Sequence, residues 1–158
     1  MTTTVGHHTV LAAGEGLRLQ SGPGRDLIFK VTGEDTAGAF DYFIVEVAPK
    51  GGPPLHVHHF QEETIHVLKG RFKIRIGDAI YYLDEGGFAY LPSKVPHAFL
   101  NLTDEAGEII VVYTPGGGHH FYEELGPVSR AAGADRQQIA AVFEKYGMSL
   151  LGGPLVAD

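Results

Sequence analysis

The chain has 158 residues, 44% hydrophobic and 20% charged, a length and balance that suit one domain with a core of its own. Its formal charge of -7 is spread along the chain, which argues against nucleic acid as a partner. No apolar run approaches the roughly 18 residues of a membrane span, and without cysteine any metal must be held by nitrogen and oxygen.

The N-terminus, MTTTVGHHTV, lacks a basic segment followed by a long apolar one, so no secretory signal is expected and a cytoplasmic location follows. His7 and His8 there are expected in solvent. Strand-like runs then succeed one another: TVLAA near 9–13, DLIFKV at 26–31, FDYFIVEVA at 40–48 and TIHVLKG at 64–70. RFKIRIG at 71–77 and AIYYLD at 79–84 read as a hairpin across Gly77-Asp78. In the first of these, Phe72, Ile74 and Ile76 alternate with Arg71, Lys73 and Arg75, the period of a half-buried strand. GFAYLP at 87–92, HAFLNL at 97–102 and EIIVVYTP at 108–115 complete the series.

Beyond residue 119 the pattern changes. HHFYEELG predicts one short helical turn, and DRQQIAAVFEKYG at 135–147 an amphipathic helix with Ile139, Val142, Phe143 and Tyr146 on one side. The 22 glycines and 9 prolines fall between the apolar runs, which favours many turns. The expected fold is all-β: an antiparallel sandwich or barrel with a C-terminal helix on its outside. A single domain, 1–158, is expected, with N-terminal strands at 9–31, a barrel core over about 40–115 and a helical tail at 119–158.

The stretch GGPPLHVHHFQEETIHVLKG, residues 51–70, sets four histidines and two glutamates among the apolar residues of a buried strand. Buried charges are costly unless paired or bound to metal. His56 and His58 are two apart and so share one strand face, a poor choice for packing but a good pair of metal ligands. Downstream, in GGFAYLPSKVPHAFLN, His97 opens another apolar strand. Three histidines and a glutamate brought together by strand pairing suit a first-row divalent metal and leave positions open for other ligands. On an unbroken strand, Glu62 would share the inward face with His56 and His58, so either glutamate fits this reading.

Together the two stretches resemble the cupins. The first cupin motif runs glycine, five residues, His-x-His, three or four residues, glutamate, six residues, glycine. His56, His58, Glu63 and Gly70 fit it, with the opening glycine displaced to Gly51. The second runs glycine, five residues, proline, x, glycine, two residues, histidine, three residues, asparagine. Gly86, Pro92, His97 and Asn101 fit, and Lys94 stands where the family has glycine, which leaves the tight turn there in question. The resemblance covers about residues 40–115. It implies a double-stranded β-helix barrel and one divalent transition metal per chain (iron, manganese, nickel, cobalt, copper or zinc) held by His56, His58, Glu63 and His97. The family's bend after His-x-His selects Glu63 over Glu62.

His59 and His66 are read as facing away from the metal, His119 and His120 as lying in a solvated loop, and Asn101 as a structural hydrogen-bond former. Phe43, Phe72, Tyr90 and Phe99 are candidates to line a small-ligand cavity. The tail, with TPGGG, HHFYEELG and GMSLLGGPL, is similar to that of single-domain bacterial quercetinase-like cupins. That similarity implies a dioxygenase acting on a flavonol or a related enolisable aromatic with dioxygen, Glu63 being the general base. A metal-dependent isomerase or cyclase and a non-catalytic binding cupin are the alternatives. Cupins often pair through sheet edges, so a homodimer is expected, with 9–13 and 26–31 covering an edge.

Overall fold

The computed structural model describes residues 8–158. His7 lies outside them. In chain order the strands are β1 (Leu17–Gly22), β2 (Arg25–Val31), β3 (Asp41–Val47), β4 (Pro54–His58), β5 (Glu62–Lys69) and β6 (Phe72–Ile76). They continue with β7 (Ala79–Leu83), β8 (Phe88–Leu91), β9 (His97–Asn101) and β10 (Gly107–Thr114). Two helices follow, α1 (Gly118–Arg130) and α2 (Arg136–Lys145), before a last strand β11 (Met148–Pro154). One sheet has the order β1-β2-β3-β10-β5-β8 and the other β11-β4-β9-β6-β7, with antiparallel pairing throughout.

The inner faces of the two sheets form one apolar core. Leu27 and Phe29, Phe43, Val45 and Val47, Ile65 and Val67, Phe72 and Ile74, and Ile109 and Val111 alternate along their strands and are all buried there. Each large side chain so placed is worth about 1.5–3 kcal/mol over an exposed one. The hairpin across Gly77-Asp78 is present: Ile76 pairs with Ala79, and Gly77 has φ 58. In the segment before β4, a Cβ on Gly52 would meet the Phe99 carbonyl oxygen at 1.9 Å, so the close approach of β9 requires glycine.

Lys94, at the glycine position of the second motif, keeps the left-handed conformation with φ 68, so the tight turn survives the substitution. Lys50 occupies the glycine position of the first motif and has φ 57. The turn geometry is thus retained at both places and the residue is changed. Lys50 offsets part of that strain with its ammonium, which hydrogen-bonds the Leu102 carbonyl and lies 3.2 Å from Asp104.

Three expectations are corrected. Residues 9–13 are not a strand: Ala12 N–H donates to the Glu15 carboxylate at 2.7 Å in a local turn, and the first strand is Leu17–Gly22. The HHFYEELG segment is not one turn but part of a helix of 13 residues, which runs through Pro127 because Phe121 and Leu125 on its inner face are buried. The helices also do more than coat the outside. α2, N-capped by the Asp135 carboxylate accepting from Gln137 N–H at 2.7 Å, packs with α1 and β11 over one end of the barrel. A second apolar cluster of Phe121, Leu125, Val142, Phe143 and Met148 forms under them, and the Phe143 ring lies 5.8 Å from that of His56. Among the described residues no helix is long and apolar enough to cross a membrane.

Candidate metal centre

β4 carries His56 and His58 on its inner face, and β9 runs antiparallel beside it with His97 paired to His56. β5, from the facing sheet, brings Glu63 on the same inner face as Ile65 and Val67. The four side chains are buried, and one ligand atom from each lies within 4.8 Å of the others. Glu63 Oε2 is 2.9 Å from His97 Nε2 and 3.5 Å from His58 Nε2. The strand-parity argument for Glu62 fails because the chain leaves one sheet after His58 and enters the other at Glu62. Glu62 is exposed on the outer face of β5, beside Tyr90.

The imidazoles are oriented from behind. His56 Nδ1 faces the Pro54 carbonyl at 2.8 Å, His97 Nδ1 the Val95 carbonyl at 3.2 Å, and His58 Nδ1 the Gln61 Oε1 at 3.0 Å. Gln61 is itself fixed, its Nε2 donating to the Pro115 carbonyl at 2.9 Å. These oxygens accept only, so each Nδ1 carries the proton; the Nε2 lone pairs of His56 and His58 point into the cluster, and His97 Nε2 shares a hydrogen bond with Glu63 Oε2. His58 Nε2 is buried without a hydrogen-bond partner. An orphaned nitrogen of that kind costs stability unless something such as a cation meets it. Burial pushes the His56 pKa well down, with His97 and His58 adding to it, and burial lowers His58 against the pull of Glu63. For His97 burial acts downward too, but the charge and hydrogen bond of Glu63 outweigh it and raise the pKa. Two imidazoles held neutral, and a third that shares a proton with one carboxylate and gives it up when a cation binds, fit a divalent transition metal.

A cavity of about 40 Å³ adjoins the cluster, walled by His56 and Glu63, by Phe43 and Phe99 of the barrel, and by Phe121 and Phe143 of the helices. Phe72 lies in the core and Tyr90 is exposed on β8, so neither lines it. The sequence reading missed Arg25, Tyr113 and Tyr122, which do line it. Tyr113 was recoverable, since it shares the inward parity of Ile109 and Val111 on β10. Tyr122 was not, because the sequence pattern predicts only a short turn where its helix runs. The two hydroxyls are 2.5 Å apart, and burial raises both phenol pKa values.

The other histidines lie elsewhere. His59 bonds Ser149 at 2.8 Å, His66 is exposed beside Phe88, and His8 is exposed. His119 and His120 are not in a loop: they begin α1, with His119 buried near Asp41 and Glu34 and His120 exposed near Glu34 and Glu123. Asn101 is fully buried, donating to the Val47, Ala48 and Glu105 carbonyls and accepting from Thr103, a purely structural role.

Residues 43–113 match the family model for the cupin domain. Quercetin 2,3-dioxygenase of Bacillus subtilis (strain 168) is 26% identical over 115 residues, which are 68% of this chain and 34% of that protein. The chain therefore spans about a third of that relative's length. Among solved structures, KdgF from Halomonas sp. superposes with a TM-score of 0.64 at 14% identity, covering 72% of this chain and 99% of that one. An RmlC-like cupin from Shewanella frigidimarina gives 0.61 at 15% identity, covering 72% and 96%. These likenesses show a cupin fold.

Proposed function

We propose that this chain, whose residues 43–113 match the cupin-domain model, is a metal-dependent dioxygenase acting on an enolisable hydroxylated substrate such as a flavonol. The observation that carries the reading is the convergence of three imidazole Nε2 atoms and one carboxylate beside an aromatic-walled cavity. Held by His56, His58, Glu63 and His97, a divalent metal would supply Lewis acidity and positions for a substrate oxygen and dioxygen. The curated relative's name supports the choice of reaction, although the shared segment is a third of that protein.

The chain's own residues do the rest. Glu63 stands at the boundary between the histidines and the cavity, where a carboxylate oxygen reaches a substrate hydroxyl and takes its proton. The Nδ1 bonds to Pro54, Val95 and Gln61 keep the imidazoles from turning as that proton moves. Phe121 and Phe143 close the cavity from the helical side and exclude water.

A second reading has one observation in its favour. The 40 Å³ cavity is far below the roughly 300–1,000 Å³ of pockets that enclose drug-sized ligands. A flavonol therefore enters only if α1 and α2 move off the barrel, whereas a smaller substrate of a Lewis-acid isomerase fits with less movement. Oxygen uptake by metal-loaded protein, with quercetin and small hydroxybenzoates each added in turn, separates the two. Uptake matched to substrate loss supports the dioxygenase; turnover continuing without oxygen supports the isomerase.

A further inference from the structure

Arg25 opens β2 and shares the inward parity of Leu27 and Phe29, which are buried in the core. Its side chain lines the cavity that holds His56 and Glu63, and it keeps a partial opening to solvent. The guanidinium has five N–H donors, yet among the described residues its one hydrogen bond runs from Nη2 to the Ser21 carbonyl at 3.3 Å. Glu63, the one acid lining the cavity, is engaged by His97 and His58. The neighbouring Asp26 points the other way, accepting from Gln20 at 2.8 Å. The cation–π contacts of the described residues belong to Arg71 and Lys145. A guanidinium that lines the cavity with donors free of protein partners, and that stays open enough for water to reach it, is available to an anion entering there.

The same wall holds a second source of donors. Tyr113 and Tyr122 share one hydrogen bond, so one hydroxyl proton of the pair is left to donate. Because burial keeps both phenols protonated, they offer no negative charge of their own to Arg25. A planar fork of N–H groups beside a neutral O–H matches the two oxygens of a carboxylate.

We propose that Arg25 and the Tyr113–Tyr122 pair form a carboxylate receptor, so that the substrate is a small hydroxy or oxo acid held at one end by Arg25 and presented at the other to Glu63 and the histidines. This rests on the reading of the cavity as the substrate site and narrows its ligand. It also accounts for the cavity's size, since an acid of few atoms needs far less room than a flavonol.

Isothermal titration with three matched pairs tests it: acetate and acetamide, benzoate and benzamide, salicylate and salicylamide. Each is run on metal-free and on metal-loaded protein. Metal-free wild type should bind at least one carboxylate about tenfold or more tightly than its amide, as expected for a charge-assisted bidentate contact. Arg25→Gln should abolish the preference, and Arg25→Lys, which keeps the charge without the fork, should retain part of it. Metal content should be unchanged in both variants, since Arg25 is not among the four ligand candidates; this separates failure here from failure of the metal site. The proposal is overturned if no carboxylate is preferred by metal-free protein, binding of none included. It is equally overturned if the preference appears only with metal and persists in Arg25→Gln, for the carboxylate then binds the metal. Should Arg25→Gln fail to fold, the wild-type preference and Arg25→Lys decide the matter.

Discussion

Protons are held differently on the three histidines, and this sets how metal-free protein responds to acid. His56 and His58 have pKa values lowered in the fold, so below the ordinary value of about 6.5 the unfolded chain binds protons that the folded one refuses. Their contribution to stability is present above that value and is lost as the pH falls through it. His97 acts oppositely: its raised pKa stabilises below 6.5 and is lost as the pH rises through the folded value. With two lowered and one raised, the urea midpoint of metal-free protein should fall between pH 7.5 and 5.5, and less steeply in His56→Gln. A flat or rising midpoint would contradict the burial that gives these shifts. Glu63 is probed by its amide. Three imidazoles hold metal by themselves, so Glu63→Gln should keep a substantial fraction of it while turnover falls by about two to four orders of magnitude. Raising the pH should recover part of the loss, because a substrate hydroxyl then ionises unaided. Glu62→Gln, changing an exposed side chain, should leave both quantities alone. If Glu63→Gln keeps full activity, the base mechanism is wrong.

At the scale of elements, strands were legible where apolar residues alternate, as at Phe43, Val45 and Val47, because one buried face imposes the period. The cluster of His56, His58 and His97 was legible for the same reason, since parity and antiparallel pairing suffice to bring them together. Choosing Glu63 over Glu62 needed a family pattern, because a chain that changes sheets breaks the parity count. β11 carries too little signal: Gly152 and Gly153 interrupt it, and it exists by pairing with the histidine strand, Met148 against His58 and Leu150 against His56. The extent of α1 was hidden by Pro127, and only the burial of Phe121 and Leu125 explains why the helix carries on. The lysines in left-handed turns were equally invisible, as their conformation comes from the turn and not from the residue. Lys94 is exposed there with φ 68. Lys94→Gly should therefore be neutral or stabilising by up to about 1 kcal/mol, and Lys94→Val destabilising by more than that, in chemical denaturation. Equal stability of the two variants would mean that the turn changes conformation with its residue.

Across the whole molecule, the free edges are not formed by residues 9–13 or 26–31. β2 is internal, between β1 and β3, and residues 9–13 form no strand, so within the chain neither is a free edge strand. The free edges include β7 and β8, and here Ile80, Tyr81, Tyr82, Phe88 and Tyr90 are 42–59% exposed. Of these, Tyr81 and Phe88 line one surface groove where the edges of the two sheets meet, which suits a self-complementary pairing with a second copy. We expect a homodimer through β7 and β8 by light scattering, reduced to monomer in Tyr81→Glu/Phe88→Glu; a monomeric wild type would contradict it. The site itself is repeated once per chain whatever the assembly. Metal analysis of purified wild type beside His58→Ala tests it most directly, because His58 Nε2 is the nitrogen of the cluster that is buried with no hydrogen-bond partner. Wild type should carry about one divalent transition metal per chain and the variant should lose most of it; an unchanged metal content in His58→Ala, or none in either protein after loading, would contradict the site.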